Sequence, residues 1–278
     1  MPRIRIRANQ PWWTIDWRGL IEYRDLFRFL IRRDFLAVYA QSLLGPFWYV
    51  LQPLAITVVF NVVFGHIAGM ATDGVPSFVF FSCGMTIWTY FQSCLNEVAG
   101  TFVGNAHLFG KVYFPRLIVP LATVVKNFIQ LALNMLIFLA FYAYFVTRPQ
   151  TTVHPTAWLA AVPLLILQTA MAGMGAGLWL ASLTAKYRDL RFALTFLSQL
   201  WMFATPVVWS AATVSDRWRW LILANPMASV VVFARLAFLG TGTADLVLFT
   251  TGFVSSLLLF VTGLLAFNRV QRTFIDIV

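Results

Sequence analysis

The sequence predicts an all-α integral membrane protein with six transmembrane helices, an N-terminal amphipathic helix at the membrane interface, and a re-entrant periplasmic helix pair before the last span. Two observations support this fold class. Sixty per cent of the residues are apolar and only 11% are charged, whereas soluble domains carry about 25% charged residues. The apolar residues also lie in blocks of roughly 18 to 30, the length of helix that crosses about 30 Å of hydrocarbon. We expect one transmembrane domain over residues 1–278.

Six blocks have the length of a span. They are residues 47–64, 75–96, 117–146, 158–183, 192–209 and 246–267. Spans one to five therefore occupy residues 47–209, and the sixth occupies 246–267.

The basic residues predict the orientation of these spans. With the N-terminus in the cytoplasm, 15 of the 20 lysines and arginines fall in cytoplasmic segments, which agrees with the positive-inside rule. Six spans then place both termini in the cytoplasm. The net charge of +10 follows the edges of the apolar blocks, so it indicates membrane topology and anionic headgroups and does not indicate nucleic acid.

A seventh apolar stretch, residues 221–239, is interrupted by Asn225-Pro226 and carries Arg235. A straight helix here would cross the bilayer and place the C-terminus outside. The alternative is a broken pair of short helices that enters the outer leaflet and returns, with its exposed backbone covered by protein or water. We favour this second interpretation and assign residues 210–239 to a re-entrant region.

Residues 20–41 predict an amphipathic helix. Arg24, Arg28 and Arg32 recur every four residues and share one face, while aromatic and aliphatic residues line another. Such a helix lies in the headgroup plane. Its simplest role is that of a membrane anchor.

No pattern predicts catalysis or a metal site. The stretch 104–111 resembles a phosphate-binding loop, but it has five residues between its glycines and Val112 after the lysine, so it does not match the motif. The three histidines and two cysteines form no ligand spacing. Glu97 and Lys126 are the ionisable residues inside spans, and an ion pair or contact with headgroups is a simpler explanation than a proton relay.

Two further patterns concern packing and the transport path. Gly173 and Gly177 form a small-xxx-small face that permits close helix approach, either within the subunit or between two subunits. Aromatic residues are abundant in the first and fifth spans, where most are expected to contact lipid. Some can instead line a path and stack on sugar rings, and the candidates are Trp48, Tyr49, Phe60, Phe196 and Trp201.

The order of short motifs along the chain resembles the membrane subunits of ABC-2 type polysaccharide exporters, the permeases for O-antigen, capsule or teichoic acid chains. The motifs are Arg32-Arg33-Asp34-Phe35, Leu43-Leu44-Gly45-Pro46-Phe47-Trp48, Gln52-Pro53-Leu54, Phe114-Pro115-Arg116, Tyr187-Arg188-Asp189-Leu190, Thr205-Pro206-Val207 and Asn225-Pro226. The chain departs from the family at Val38, where a basic residue commonly precedes the tyrosine.

The resemblance implies a bacterial inner-membrane homodimer that pairs with two copies of a cytoplasmic ABC ATPase subunit. ATP and Mg²⁺ would bind to that partner, and this chain would carry no cofactor and no catalytic residue. The implied substrate is a polyprenyl-diphosphate-linked polysaccharide, exported through a channel between the two copies. The region 210–239 resembles the periplasmic gate of the family.

The resemblance also implies roles for two sets of residues. Coupling to the ATPase falls on the second and fourth loops, at Asn105, His107, Lys111, Lys186, Tyr187, Arg188 and Asp189. Entry of the lipid diphosphate falls on Arg24, Arg28, Arg32 and Arg33, because arginine forms charge-assisted hydrogen bonds with phosphate.

Two other functions remain open at this point. An ABC-2 permease for a small molecule or drug would share most of these motifs. An intramembrane enzyme would need clustered ionisable residues in the spans, which the sequence lacks.

Overall fold

The computed structural model describes residues 17–39, 43, 45–109, 114–148, 151–187 and 189–273. The described residues are helical apart from turns and loops. The helices are α1 (Trp17–Glu22), α2 (Arg24–Tyr39), α3 (Trp48–Phe60, continued as a π-helix over Asn61–Ile67), α4 (Ser77–Ala99), α5 (Thr101–Gly104), α6 (Ala106–Phe109), α7 (Ile118–Val146), α8 (Val162–Thr184), α9 (Leu190–Phe203), α10 (Arg219–Ala224), α11 (Pro226–Leu239) and α12 (Leu246–Thr273).

Several of these helices are long and apolar enough to cross a membrane. Among the described residues, four stretches meet this condition, and a fifth does so if the bent pair α10–α11 counts as one span. The four are Val50–Ile67, Ile118–Val146, Ala157–Thr184 and Leu246–Gln271. The chain is thus a multi-pass helical membrane protein, and these stretches correspond to predicted spans one, three, four and six.

The second and fifth predicted spans differ from those four. Helix α4 has 23 residues but is less apolar, and most of its residues are buried inside the fold. Helix α9 ends at Phe203, whereas the sequence predicted a span reaching residue 209. Pro206 explains the early end, because proline removes a backbone donor and disfavours a helical residue before it. At 14 residues, α9 is about 21 Å long.

Helix α8 lies at the centre of the fold, between α4 and α12. A Cβ atom added to Gly173 would lie 2.9 Å from Cβ of Cys94, and one added to Gly177 would lie 2.7 Å from Cβ of Val98, both on α4. Gly175, on another side of α8, would bring a Cβ atom within 2.6 Å of Phe260 Cα on α12. The small-xxx-small face of α8 therefore packs inside the subunit, which decides between the two possibilities that the sequence left open.

One end of the molecule gathers the N-terminal helix and two loops. We call it the α2 end. Leu30 of α2 is buried in a cluster with Phe102 and Phe109, the start of α7 and the end of α12. Arg116 also donates a 2.5 Å hydrogen bond to the carbonyl of Gln271 in α12.

The opposite end, which we call the α10 end, gathers the remaining loops. The hydroxyl of Thr152 donates to the carbonyl of Gly74 at 2.9 Å, and that of Ser210 donates to Asp73 at 2.6 Å. Here α10 and α11 form a helix pair bent by 100°. The sequence anticipated this break at Asn225-Pro226, and a straight helix over residues 221–239 is wrong.

Candidate functional site

Helix α2 presents the predicted arginine stripe at the surface. Arg24, Arg28 and Arg32 are exposed, while Leu30 on the opposite side is only 1% exposed. Exposed apolar residues, including Phe29 and Leu36, lie among the arginines. A surface that mixes cations with apolar groups suits the headgroup region of a bilayer.

Two arginines of α2 form ion pairs with neighbouring carboxylates. Arg33 forms a 2.7 Å ion pair with Asp34, and Arg28 lies 3.8 Å from Asp25. Arg33 is half-buried. The exposed members of the stripe are therefore better placed than Arg33 to contact an external phosphate.

The two predicted coupling loops leave the bundle side by side. Helix α4 leads directly into α5 and α6, and helix α8 leads into the loop before α9. The hydroxyl of Thr184, the last residue of α8, donates to the carbonyl of Ala99, the last residue of α4, at 3.2 Å. The ends of α4 and α8, from which the two loops start, are therefore held together by a hydrogen bond.

The individual loop residues have different surroundings. Asn105 donates to the carbonyl of Thr101 at 3.1 Å, which stabilises the turn between α5 and α6. Lys186 and Tyr187 are exposed, and the lysine ammonium lies 5.3 Å from the centre of the tyrosine ring. Asp189 is the N-cap of α9, since its carboxylate accepts the N–H of Leu190 at 3.1 Å.

Three members of the predicted coupling set fall, wholly or by their side chain, outside the described part of the chain. Lys111 and Arg188 lie outside the described residues, as does the side chain of His107. The coupling role remains a prediction for the whole set.

The predicted path aromatics fall into two groups. Trp48 and Phe196 are 49% and 60% exposed, so their rings face the surroundings of the subunit. Phe60 packs edge-to-face on Phe64, with the ring centres 5.4 Å apart, and Trp201 packs edge-to-face on Phe91, with the ring centres 5.0 Å apart. These two belong mainly to the packing of the subunit. The side chain of Tyr49 lies outside the described residues.

Asn225 fixes the bend between α10 and α11. Its side-chain oxygen accepts the N–H of Met227 at 3.0 Å and the indole N–H of Trp201 at 3.1 Å. Its amide nitrogen donates to Thr205 Oγ1 at 2.9 Å and to the carbonyl of Ala204 at 3.2 Å. One side chain therefore caps α11 and joins it to the end of α9.

Arg235 holds the non-helical segment that follows α9. It is 3% exposed, and its guanidinium donates to the carbonyls of Pro206 at 2.6 Å, Val207 at 2.5 Å and Trp209 at 3.3 Å. Its Cζ also lies 3.5 Å from the centre of the Phe80 ring, a cation–π geometry. No motif predicted a role for this residue, although an arginine in an apolar helix is itself a signal of a buried polar contact.

An ion pair ties α10 to the residue before α12. Arg219 and Asp245 lie 2.6 Å apart. Partial burial raises the pKa of the Asp245 carboxyl, but the hydrogen bonds from Arg219 and from the backbone N–H groups of Leu248 and Val247 outweigh this and leave the pKa below its usual range.

The ionisable residues inside the spans pair with each other. Lys126 of α7 is 6% exposed and forms an ion pair with Glu97 of α4. The simpler of the two explanations from the sequence, an ion pair, is therefore present. Among the described residues, no group of three His, Cys, Asp or Glu side chains is placed to hold a metal ion.

Two cavities open beside the bent pair. The larger, of about 660 Å³, is lined mainly by apolar groups and includes Trp201, Trp209 and Trp218. The smaller, of about 290 Å³, is lined by Asp73, Ser210, Arg219, Arg235 and other polar residues. Both lie at the α10 end.

The described residues form a multi-pass helical bundle with an amphipathic helix at one end and a bent helix pair at the other. Sequence comparison defines the family. The profile of the ABC-2 type transporter family matches residues 25–239, and the chain belongs to this family. The matched region is a permease domain and contains no ATPase domain.

Relatives match over most of their length. An O-antigen export system permease protein RfbA from Klebsiella pneumoniae is 24% identical over 254 residues, which cover 91% of this chain and 95% of that protein. The protein of the same name from Myxococcus xanthus is 29% identical over 225 residues, which cover 80% of this chain and 83% of that protein.

Proposed function

We propose that this chain is the membrane subunit of an ATP-driven exporter that moves a polyprenyl-diphosphate-linked polysaccharide, an O-antigen or a similar surface glycan, across the bacterial inner membrane. The observation that carries the proposal is the near full-length similarity to the O-antigen export permeases of two different bacteria. In this proposal two copies form the channel and pair with two cytoplasmic ABC ATPase subunits. Both chain ends lie in the cytoplasm, after six membrane crossings.

The shared cluster at the α2 end supports a common site for substrate entry and ATPase coupling. Leu30 of the arginine-bearing helix packs in the same cluster as Phe102 and Phe109 of the second loop. The exposed arginines Arg24, Arg28 and Arg32 would attract the diphosphate. Closure of the ATPase would then reach the entry helix and the coupling loops through one packed unit.

Complementation tests this function. A deletion strain that lacks this gene is expected to lose the surface glycan and to regain it with the wild-type gene. Unchanged surface glycan in the deletion strain would rule out the proposal.

Charge reversal tests the coupling loop. We expect Lys186→Glu to leave the protein inserted and paired with its ATPase but to reduce export, since the loop would no longer transmit ATPase closure. Arg269→Glu is the matched control, because Arg269 is exposed at the same end of the molecule in the last helix. If the two variants export glycan equally well, the fourth loop is not part of the coupling site.

A second candidate function is favoured by one cavity. The volume of about 660 Å³ beside three tryptophans falls in the range of about 300–1,000 Å³ that is common for small-molecule sites. An ABC-2 permease for a small apolar molecule would use such a cavity. The same deletion strain separates the two functions: altered drug sensitivity with unchanged surface glycan would favour this second candidate.

A further inference from the structure

We propose that the smaller cavity at the α10 end binds one neutral sugar ring of the exported glycan, an inference that rests on the proposed function. The cavity has a volume of about 290 Å³ and lies between the loop at Asp73, the segment before α10, helices α10 and α11, and the loop before α12. This volume is at the lower limit of small-molecule sites, about 300 Å³. It therefore suits a single monosaccharide and not an extended chain.

Two buried polar groups in the cavity wall lack a protein partner. Thr241 is 8% exposed, and its hydroxyl has no hydrogen-bond partner among the described residues. The same holds for Nε of Arg235, whose other nitrogens bind backbone carbonyls. Buried polar groups are nearly always hydrogen-bonded. Eight other buried polar atoms among the described residues also lack a partner, but Thr241 and Arg235 both line this cavity, where a ligand can supply the missing hydrogen bonds.

The hydrogen-bonding pattern of the wall matches a polyol. The hydroxyl of Thr241 can donate and accept, Nε of Arg235 donates, and the carboxylate of Asp73 accepts. Sugar hydroxyls can form a hydrogen bond with each of these groups, because a hydroxyl is both a donor and an acceptor. Apolar side chains, including Val232 and Leu248, complete the wall and suit the C–H face of a sugar ring.

The charges in the wall select against anions. Three carboxylates and two guanidiniums line the cavity. Arg219 forms an ion pair with Asp245, and Arg235 is engaged by backbone carbonyls. The wall therefore carries one more negative than positive charge, so a neutral hexose is expected to bind better than the corresponding uronic acid.

Saturation-transfer NMR on the full chain in complex with its ATPase tests this site. The probes are glucose, galactose and mannose, with glucuronate as the anionic comparison. The detergent must carry no sugar headgroup. With few contacts available, the expected dissociation constant is on the order of 1 mM.

Two variants remove groups that the sugar would contact. Neither removes a hydrogen bond that the structure shows, because an asparagine oxygen at position 73 can still accept the Ser210 hydroxyl as the Asp73 carboxylate does. Thr241→Val deletes a hydroxyl that has no partner among the described residues, so the fold loses no hydrogen bond that the structure shows. Asp73→Asn removes a charge at a residue with φ of 52°, a backbone conformation that asparagine tolerates. The matched control is Thr169→Val, because Thr169 is buried, bonds the carbonyl of Leu165 and does not line the cavity.

The proposal predicts saturable binding of at least one neutral hexose and weaker binding of glucuronate. Binding should weaken about fivefold in Thr241→Val and about tenfold in Asp73→Asn, by loss of one neutral and one charge-assisted hydrogen bond. Thr169→Val should bind as the wild type does. Absence of saturable hexose binding would mean that the cavity holds only water. Equal binding in Thr241→Val and wild type, with a higher melting temperature for the variant, would mean that the hydroxyl is only a packing defect.

The outcome of the NMR binding experiment is independent of the complementation test of the proposed function. A complemented strain that exports glycan while the purified complex binds no hexose would overturn the sugar site alone. A strain whose surface glycan never depended on this gene would overturn the exporter, whatever the NMR titration shows.

Discussion

Replacement of Arg235 by methionine probes the contact that holds the segment after α9. Methionine has a similar length, favours helix and keeps the position apolar. The change removes the donors to the carbonyls of Pro206 and Val207, which lie 2.6 and 2.5 Å from the guanidinium. Both residues are buried, and neither lies in a regular helix that would satisfy its carbonyl.

The magnitude follows from these two carbonyls. A buried carbonyl that loses its partner costs about 1–3 kcal/mol, so two of them cost about 2–6 kcal/mol. Removal of the buried cation returns part of its desolvation penalty. We expect a net loss of about 3 kcal/mol, which corresponds to roughly 6–12 °C in melting temperature for a chain of this size. The melting temperature of Arg235→Lys should lie between those of the wild type and Arg235→Met, because lysine keeps the charge but lacks the planar guanidinium that donates to two carbonyls.

Thermal unfolding of the detergent-purified protein measures this change. Membrane proteins often unfold irreversibly, so all variants must be compared at one scan rate. Arg217→Met is the control, because Arg217 is exposed and lies near the same end, beside Trp218. If Arg235→Met melts within about 2 °C of the wild type, the guanidinium does not hold this segment and the reasoning is wrong.

The remaining predictions address the helix packing, one carboxylate and the pair inside the spans. Gly173→Ala should destabilise the protein by about 1–3 kcal/mol through overpacking, whereas Gly104→Ala, where a Cβ atom meets open space, should leave the melting temperature unchanged or slightly raised. Asp245→Asn should lower the melting temperature at neutral pH. Because the folded-state pKa of this carboxyl lies below its usual range, the difference should start to shrink as the pH falls below about 4 and vanish once the pH is below the folded-state pKa. Glu97→Gln and Lys126→Met should each lower the free energy of unfolding by about 1–2 kcal/mol. In a double-mutant cycle, the double variant should lose less than the sum of the two single losses. Export that stops in the double variant despite intact folding would contradict a structural role for the pair.

The long spans were predictable because their signal is local. The predicted third span, 117–146, differs from Ile118–Val146 by one residue at its start and ends at the same residue. The predicted fourth span, 158–183, differs from Ala157–Thr184 by one residue at each end. The last span was predicted to end at residue 267, but its helix continues to Thr273. Polar residues end an apolar block without ending a helix, since they are tolerated where the helix leaves the hydrocarbon.

The contacts at the α10 end were not predictable from local patterns. The sequence identified Asn225-Pro226 as a break, but the partners of Asn225 lie at Trp201 and Thr205, more than 19 residues earlier. Arg235 likewise binds a segment 26 to 29 residues earlier. Hydropathy reports which residues leave water, and it carries no information about which buried donor meets which buried carbonyl.

These contacts also join α9 to the bent pair. Non-helical backbone at membrane depth is tolerated only where its polar groups are satisfied, and Asn225 and Arg235 satisfy those that follow α9. Helix α9 begins at Leu190, directly after its N-cap Asp189 in the proposed coupling loop, and Trp201 near its end is hydrogen-bonded to Asn225, the N-cap of α11. One helix of 14 residues therefore links the proposed coupling loop to the bent pair. Because α9 and the segment after it are hydrogen-bonded to α11 at both Asn225 and Arg235, α9 and the bent pair form one packed unit.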